Sequence, residues 1–104
     1  MLPKARRLTK LDFSGIRPRI IFRGGYVDVA VVISTVTKFA CVIPKKRVKR
    51  AVDRNRIKRR IYSAVEKTPL PTKNYYIILY PRQNALNSSF THIEKEIREV
   101  FATL

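Results

Sequence analysis

Three stretches of the chain are rich in β-branched and aromatic residues, which favour strands. Alternating valines and isoleucines over residues 26–34 predict one strand, and Ala30 and Val32 make its second face partly apolar, as in a strand covered on both sides. Residues 38–43 and 74–80 predict two further strands, and the last is expected at the centre of the sheet.

Two longer stretches carry apolar stripes with the helical period of 3.6. Ile57, Ile61 and Val65 lie on one such stripe and predict an amphipathic helix from about residue 50 to residue 67. Residues 90–104 carry the second stripe, with three of the four glutamates of the chain on the other side of the helix.

A shorter helix is predicted near the start, over residues 8–17, where Thr9 and Asp12 have the spacing of a capping box. A short extended piece at 20–22 follows it. The order α-β-β-(β)-α-β-α predicts an α+β fold in which helices pack against a small mixed sheet, with residues 1–104 forming a single domain.

The charge balance indicates a polyanionic partner. Lysine and arginine number 23 against 7 acidic residues, a net charge of +16. No apolar run reaches the roughly 18–20 residues of a membrane-spanning helix, and no lipidation motif or secretory signal is present, so no membrane partner is expected. The single cysteine, Cys41, is interpreted as a reduced core residue of a cytoplasmic protein.

The positive charge is concentrated between residues 45 and 60, which hold ten of the 23 basic residues and one acid, Asp53. A solvated helix face normally mixes charges of both signs to relieve repulsion, so a merely solvated basic face is the weaker interpretation. Several arginines on one helix suit the phosphates of RNA or DNA, and such contacts position a nucleic acid without specifying its sequence.

No catalytic constellation is found. His92 is the only histidine and is expected at the surface, and the glutamates of the last helix alternate with Lys95 and Arg98, as on a solvated face. Phosphate-binding glycine loops and nucleophile motifs are absent. We therefore predict a binding protein with no catalytic residue and no metal ligand of its own.

The basic tract, residues 45–60, includes a motif that resembles the signature of a known family. Residues 51–60 read Ala-Val-Asp-Arg-Asn-Arg-Ile-Lys-Arg-Arg, which resembles the Arg-Asn-Arg signature helix of the bacterial ribonuclease P protein subunit. The resemblance continues in order through Asp12-Phe13, Lys45-Lys46, residues 75–82 and the terminal helix. The chain departs from the family at Tyr62-Ser63, where Arg-Glu is usual, and at Arg17, where an aromatic residue is often found.

This resemblance implies a fold with a left-handed crossover through the signature helix, and a monomeric protein that works inside a ribonucleoprotein endonuclease. The protein would bind a catalytic RNA that removes the 5′ leader of precursor tRNA, with the chemistry supplied by Mg²⁺ bound mainly by that RNA. The residues implied to bind the catalytic RNA are Lys45, Lys46, Arg54, Asn55, Arg56, Lys58, Arg59 and Arg60. The residues implied to bind the leader of precursor tRNA are Phe13, Arg17 and Phe22.

Two other functions share the positive charge. A ribosomal or general structural RNA-binding protein would have no effect on tRNA processing. An intrinsic nuclease would cleave RNA after all accompanying RNA is removed, and would lose activity on mutation of Asp12 or Asp28.

Overall fold

The structure, a computed structural model, describes residues 6–8 and 17–104. The predicted opening helix therefore falls almost entirely outside the described residues. The elements in chain order are β1 Arg19–Arg23, β2 Val27–Ile33, β3 Lys38–Cys41, α1 Ala51–Lys67, β4 Tyr75–Pro81, a 3₁₀ turn at Gln83–Leu86, and α2 Phe90–Thr103.

The strands form one mixed sheet in the order β1-β2-β4-β3. β1 and β4 flank β2 in antiparallel pairs, while β3 and β4 are parallel and are joined through α1. The predicted mixed sheet and the central place of the last strand are confirmed. The extended piece expected at 20–22 is a full edge strand with a bulge between Ile20 and Phe22. The hand of the crossover stays a prediction from the resemblance.

Helices α1 and α2 pack on one face of the sheet and form the main core with it. The predicted α1 stripe is confirmed, because Ile57 and Ile61 are completely buried. Phe39 of β3 stacks on Phe101 of α2, with ring centroids 5.7 Å apart. A smaller cluster of Ala30, Ala40 and Ile78, with Leu8, Val42 and Tyr80 packed against it, lies on the other face, so β2 is covered on both sides as predicted.

The turn between β1 and β2 is attached to α2 through Glu96. The Glu96 carboxylate accepts a hydrogen bond from the backbone N–H of Tyr26, with the N–Oε2 distance 2.9 Å. A Cβ atom at Gly24 would overlap Glu96 Oε1, so a larger residue there would displace the carboxylate from the turn.

The outer edge of β3 is covered by groups from two other segments. Leu8 N–H donates to the carbonyl of Phe39 at 2.8 Å, and the N–H of Cys41 donates to the hydroxyl of Tyr62 at 3.1 Å. Tyr62 is buried at the position where the family usually has arginine, so this departure gives the sheet edge an acceptor in place of a basic group. Cys41 is a free, buried cysteine, as predicted for a core residue, and burial raises its pKa to about 12.

Candidate nucleic-acid interface

One side of helix α1 is exposed to solvent and carries part of the basic signature. Ile57 and Ile61 fix the rotation of the helix because they are fully buried in the core. Asn55, Arg56 and Arg59 consequently lie on the exposed side. These three residues form the part of the predicted signature surface that is most accessible to a large ligand.

Two other arginines of the signature are bound to the protein's own backbone. Arg54 Nη1 donates to the carbonyls of Val48 and Lys49, at 3.0 and 2.8 Å, and so ties the preceding loop to the first turn of α1. Arg60 Nη2 donates to the carbonyl of Ser88, and so ties α1 to the segment before α2. Lys58 is half-buried beside the core. The signature thus divides into exposed and anchored side chains.

The loop at residues 44–49 presents further cations beside the start of α1. It is tightly turned, since the N–H groups of Arg47 and Val48 both donate to the carbonyl of Pro44, and Val48 is only 3 % exposed. Lys45 and Lys46 are exposed on this loop, as is Lys49. With the 3₁₀ turn, the loop borders a pocket of about 420 Å³ that has a mainly basic rim.

A buried carboxylate lies behind this loop. Asp28 of β2 is 2 % exposed and accepts hydrogen bonds from Arg47 Nη2 at 3.2 Å and Arg82 Nη2 at 2.9 Å. Sequence reasoning did not identify this cluster, because its members are distant in sequence. Only the strand register brings Asp28 opposite Tyr80, next to Arg82.

The second face of the sheet, defined by the cluster around Ala30, Ala40 and Ile78, also carries two tyrosines. Tyr76 and Tyr80 flank Ile78 on β4 and are half-exposed. The alternation of side chains along β4 could have placed both on the face of Ile78.

The three residues implied for the leader do not form one described group. Phe13 lies outside the described residues, and Arg17 is exposed just before β1. Phe22 pairs with Val29 and packs against the main core, so it lies on the helix side of the sheet, opposite the second face. The leader assignment of all three residues stays a prediction.

Several acidic side chains of the described residues are bound by other groups of the protein. Glu94 accepts a hydrogen bond from Arg98 at 2.9 Å, and no group of three histidine, cysteine, aspartate or glutamate residues within 6–8 and 17–104 could hold a metal ion.

His92 is exposed and stacks on Tyr26, with centroids 6.3 Å apart. Over the same ranges, no helix is long and apolar enough to cross a membrane.

Comparison with known proteins extends over nearly the whole chain. The structure of the Staphylococcus aureus RNase P protein has 24 % sequence identity and a TM-score of 0.72, covering 96 % of this chain and 95 % of that one. The RNase P protein from Thermotoga maritima has 18 % identity and a TM-score of 0.76, covering 94 % and 96 %. None of the curated proteins compared matches this sequence. The family model for ribonuclease P matches residues 2–104, and the chain therefore belongs to the ribonuclease P protein family.

Proposed function

We propose that this chain binds the catalytic RNA of ribonuclease P and the 5′ leader of precursor tRNA, and thereby supports endonucleolytic removal of the leader. The catalytic RNA would bind the exposed side of α1 together with the loop at 44–49. The leader would bind across the second face of the sheet.

The observation that carries the proposal is the exposed positive charge of the loop at 44–49 and of α1 up to Arg60. Arg56 and Arg59 are exposed on α1, and Lys45 and Lys46 are exposed on the loop that precedes it. The one acid of the tract, Asp53, is half-buried, and its carboxylate lies 3.9 Å from the Nε atom of Arg50. Asp53 therefore neutralises little of the positive charge of this surface. RNA phosphates would bind the exposed cations with release of counterions.

The leader proposal rests on aromatic groups at an accessible surface. Unpaired bases stack on exposed aromatic rings. Tyr76 and Tyr80 are half-exposed on the second face, where Tyr80 packs against the cluster of Ala30, Ala40 and Ile78. The resemblance implies that Phe13 and Arg17 would also bind the leader. Phe22 would contribute only through the β1 edge, because its ring packs on the opposite side.

Mg²⁺ enters the proposal only as an ion held by the RNA. Magnesium prefers several oxygen ligands, usually carboxylates and phosphates. Among residues 6–8 and 17–104 the carboxylates do not converge, and the buried carboxylate of Asp28 is bound by two guanidinium groups. The described residues therefore do not fit a protein magnesium site, and no step of the cleavage is assigned to this chain.

Reconstitution tests the proposal. Precursor tRNA is incubated with the cognate catalytic RNA over a magnesium titration, with and without the protein. We expect the protein to lower the magnesium concentration needed for cleavage and to produce no cleavage alone. An unchanged magnesium requirement would contradict the proposal, and co-purification with ribosomal subunits without any effect on tRNA processing would favour a ribosomal protein.

A further inference from the structure

The unusual feature of the second sheet face is a buried charge. Among the described residues, Asp28 and Thr68 are the buried polar side chains, and Asp28 is the one that carries a charge. A buried carboxylate is costly unless charged hydrogen-bond donors surround it. Asp28 thus requires partners, and both of its partners come from segments next to the candidate nucleic-acid interface.

Arg47 holds the loop at 44–49 against the sheet through both of its Nη atoms. Its Nη2 atom donates to Asp28 at 3.2 Å, while its Nη1 atom donates to the carbonyls of Tyr80 and Pro81 at 3.0 and 3.3 Å. A planar guanidinium can make these contacts simultaneously, whereas an ammonium group cannot reproduce the fork.

Arg82 holds the other side of the carboxylate. Its Nη2 atom lies 2.9 and 3.2 Å from the two oxygens of Asp28, and its backbone N–H donates to the carbonyl of Tyr26 at 2.8 Å. Asp28 therefore joins the loop at 44–49 to the segment that follows β4, and it does so within the sheet, where movement is restricted.

We infer that Asp28 is a positioning residue for RNA binding, acting through Arg47 to hold Lys45, Lys46 and Lys49 in a fixed relation to Arg56 and Arg59. The inference rests on the proposed function, because it assigns a role to Asp28 within that same surface. Asp28 and Arg47 themselves need not touch RNA.

The inference predicts a change in RNA affinity that is opposite to the change expected from net charge alone. Removing one negative charge from a protein of net charge +16 should strengthen its binding to a polyanion. If Asp28 positions the loop, Asp28→Asn weakens binding instead, because the lysines lose their fixed placement. Two lost phosphate contacts correspond to about a tenfold lower affinity and a salt slope smaller by about two.

The experiment measures the affinity of each variant for the cognate catalytic RNA as a function of salt concentration. Asp28→Asn is compared with Glu94→Gln, a matched control that changes the net charge equally but removes only a half-exposed pair with Arg98 on α2. We expect about tenfold weaker binding and a smaller salt slope for Asp28→Asn, and unchanged or slightly tighter binding for Glu94→Gln.

Arg47→Lys provides a second test in which the net charge is unchanged. It should reduce affinity and salt slope in the same way, and Asp28→Asn should then have little additional effect in the Arg47→Lys background. Fractions of folded protein are measured by urea unfolding and used to correct the affinities. A purely structural effect lowers the affinity equally at all salt concentrations and leaves the slope unchanged.

The outcomes separate this inference from the proposed function. If the unmodified protein does not bind the catalytic RNA, the proposed function fails. If it binds, and the folded Asp28→Asn and Arg47→Lys proteins bind with the unmodified affinity and slope, the inference is overturned while the proposed function stands. If Asp28→Asn does not fold, the Arg47→Lys result alone decides in the same way.

Discussion

The arginines of α1 have two different roles, although the sequence presents them as one basic run. Arg54 and Arg60 donate to backbone carbonyls of neighbouring segments, whereas Arg56 and Arg59 project to solvent. A guanidinium that is already bound to carbonyls has fewer donors left for phosphate. Substitutions within the signature should therefore separate effects on stability from effects on RNA binding.

Arg56→Ala and Arg54→Ala form a matched pair for this separation, since both remove one positive charge. For Arg56→Ala we expect the free energy of unfolding to change by less than about 0.5 kcal/mol. Its RNA affinity should fall, with the salt slope reduced by about one contact. For Arg54→Ala we expect a loss of about 1–2 kcal/mol in stability, because the Val48 and Lys49 carbonyls lose their donor. Urea unfolding and salt-dependent binding measure the two effects, and an unchanged salt slope for Arg56→Ala would remove that side chain from the interface.

Helix α2 contributes to the architecture through one carboxylate as well as through its apolar stripe. Glu96 accepts hydrogen bonds from the turn between β1 and β2, and so attaches the edge hairpin to the helix. Burial raises the pKa of Glu96 above its ordinary value of 4.5, and the repulsion of Glu99 adds to the shift. The backbone N–H groups of Tyr26 and Gly25 and the charge of Arg82 oppose it.

This shift predicts how stability depends on pH. Because the pKa of Glu96 is raised in the folded protein, the folded state binds this proton more tightly than the unfolded state does. The unmodified protein should therefore gain stability relative to Glu96→Gln as the pH falls through the raised pKa towards 4.5, and lose that gain as the pH rises. Urea unfolding over this pH range measures the difference, and Glu94→Gln serves as the control on the solvent side of the same helix. Parallel pH profiles for the Glu96→Gln and unmodified proteins would contradict the prediction.

The elements of the fold could be predicted from the sequence far better than the contacts between them. The apolar period of α1 predicted its buried stripe, and the alternation over β2 predicted a strand covered on both faces, because both patterns depend on local geometry alone. The strand β1 was predicted only as a short extended piece, since its pairing depends on the Gly24-Gly25 turn and on β2. The partners of Asp28 depend on register and on loop conformation, which hydrophobic periodicity does not determine.

In the candidate site, too, local features could be predicted from the sequence, and contacts between segments could not. The basic tract is a local feature, and the exposed positions of Asn55, Arg56 and Arg59 follow from the helical period once Ile57 is known to be buried. That Arg54 and Arg60 bind backbone carbonyls could not be predicted, because the acceptors lie in loops. Tyr62 is a similar case, since its acceptor role depends on the edge position of β3.

The charge of the protein has opposite consequences for folding and for binding. A net charge of +16 on 104 residues disfavours the compact state through repulsion among like charges, while the same charges attract a polyanion. Added salt shortens the screening length from about 10 Å at 0.1 M to about 3 Å at 1 M. Screening at these distances weakens the repulsion between exposed arginines and lysines, and it weakens the attraction to RNA as well.

We therefore expect sodium chloride to move stability and RNA affinity in opposite directions. Between 0.1 and 1 M salt the free energy of unfolding should rise by about 1 kcal/mol or more, the magnitude of one or two exposed charge interactions. RNA affinity should fall steeply over the same range, since each phosphate contact contributes to the salt slope. Urea unfolding and RNA titration in the same buffers measure the two quantities, with potassium chloride as a control for ion-specific effects. A free energy of unfolding that stays constant or falls with salt would mean that the protein's own 7 acidic residues already balance the repulsion locally. The exposed cations of α1 would then not destabilise the folded protein, and RNA binding would have no repulsion to relieve.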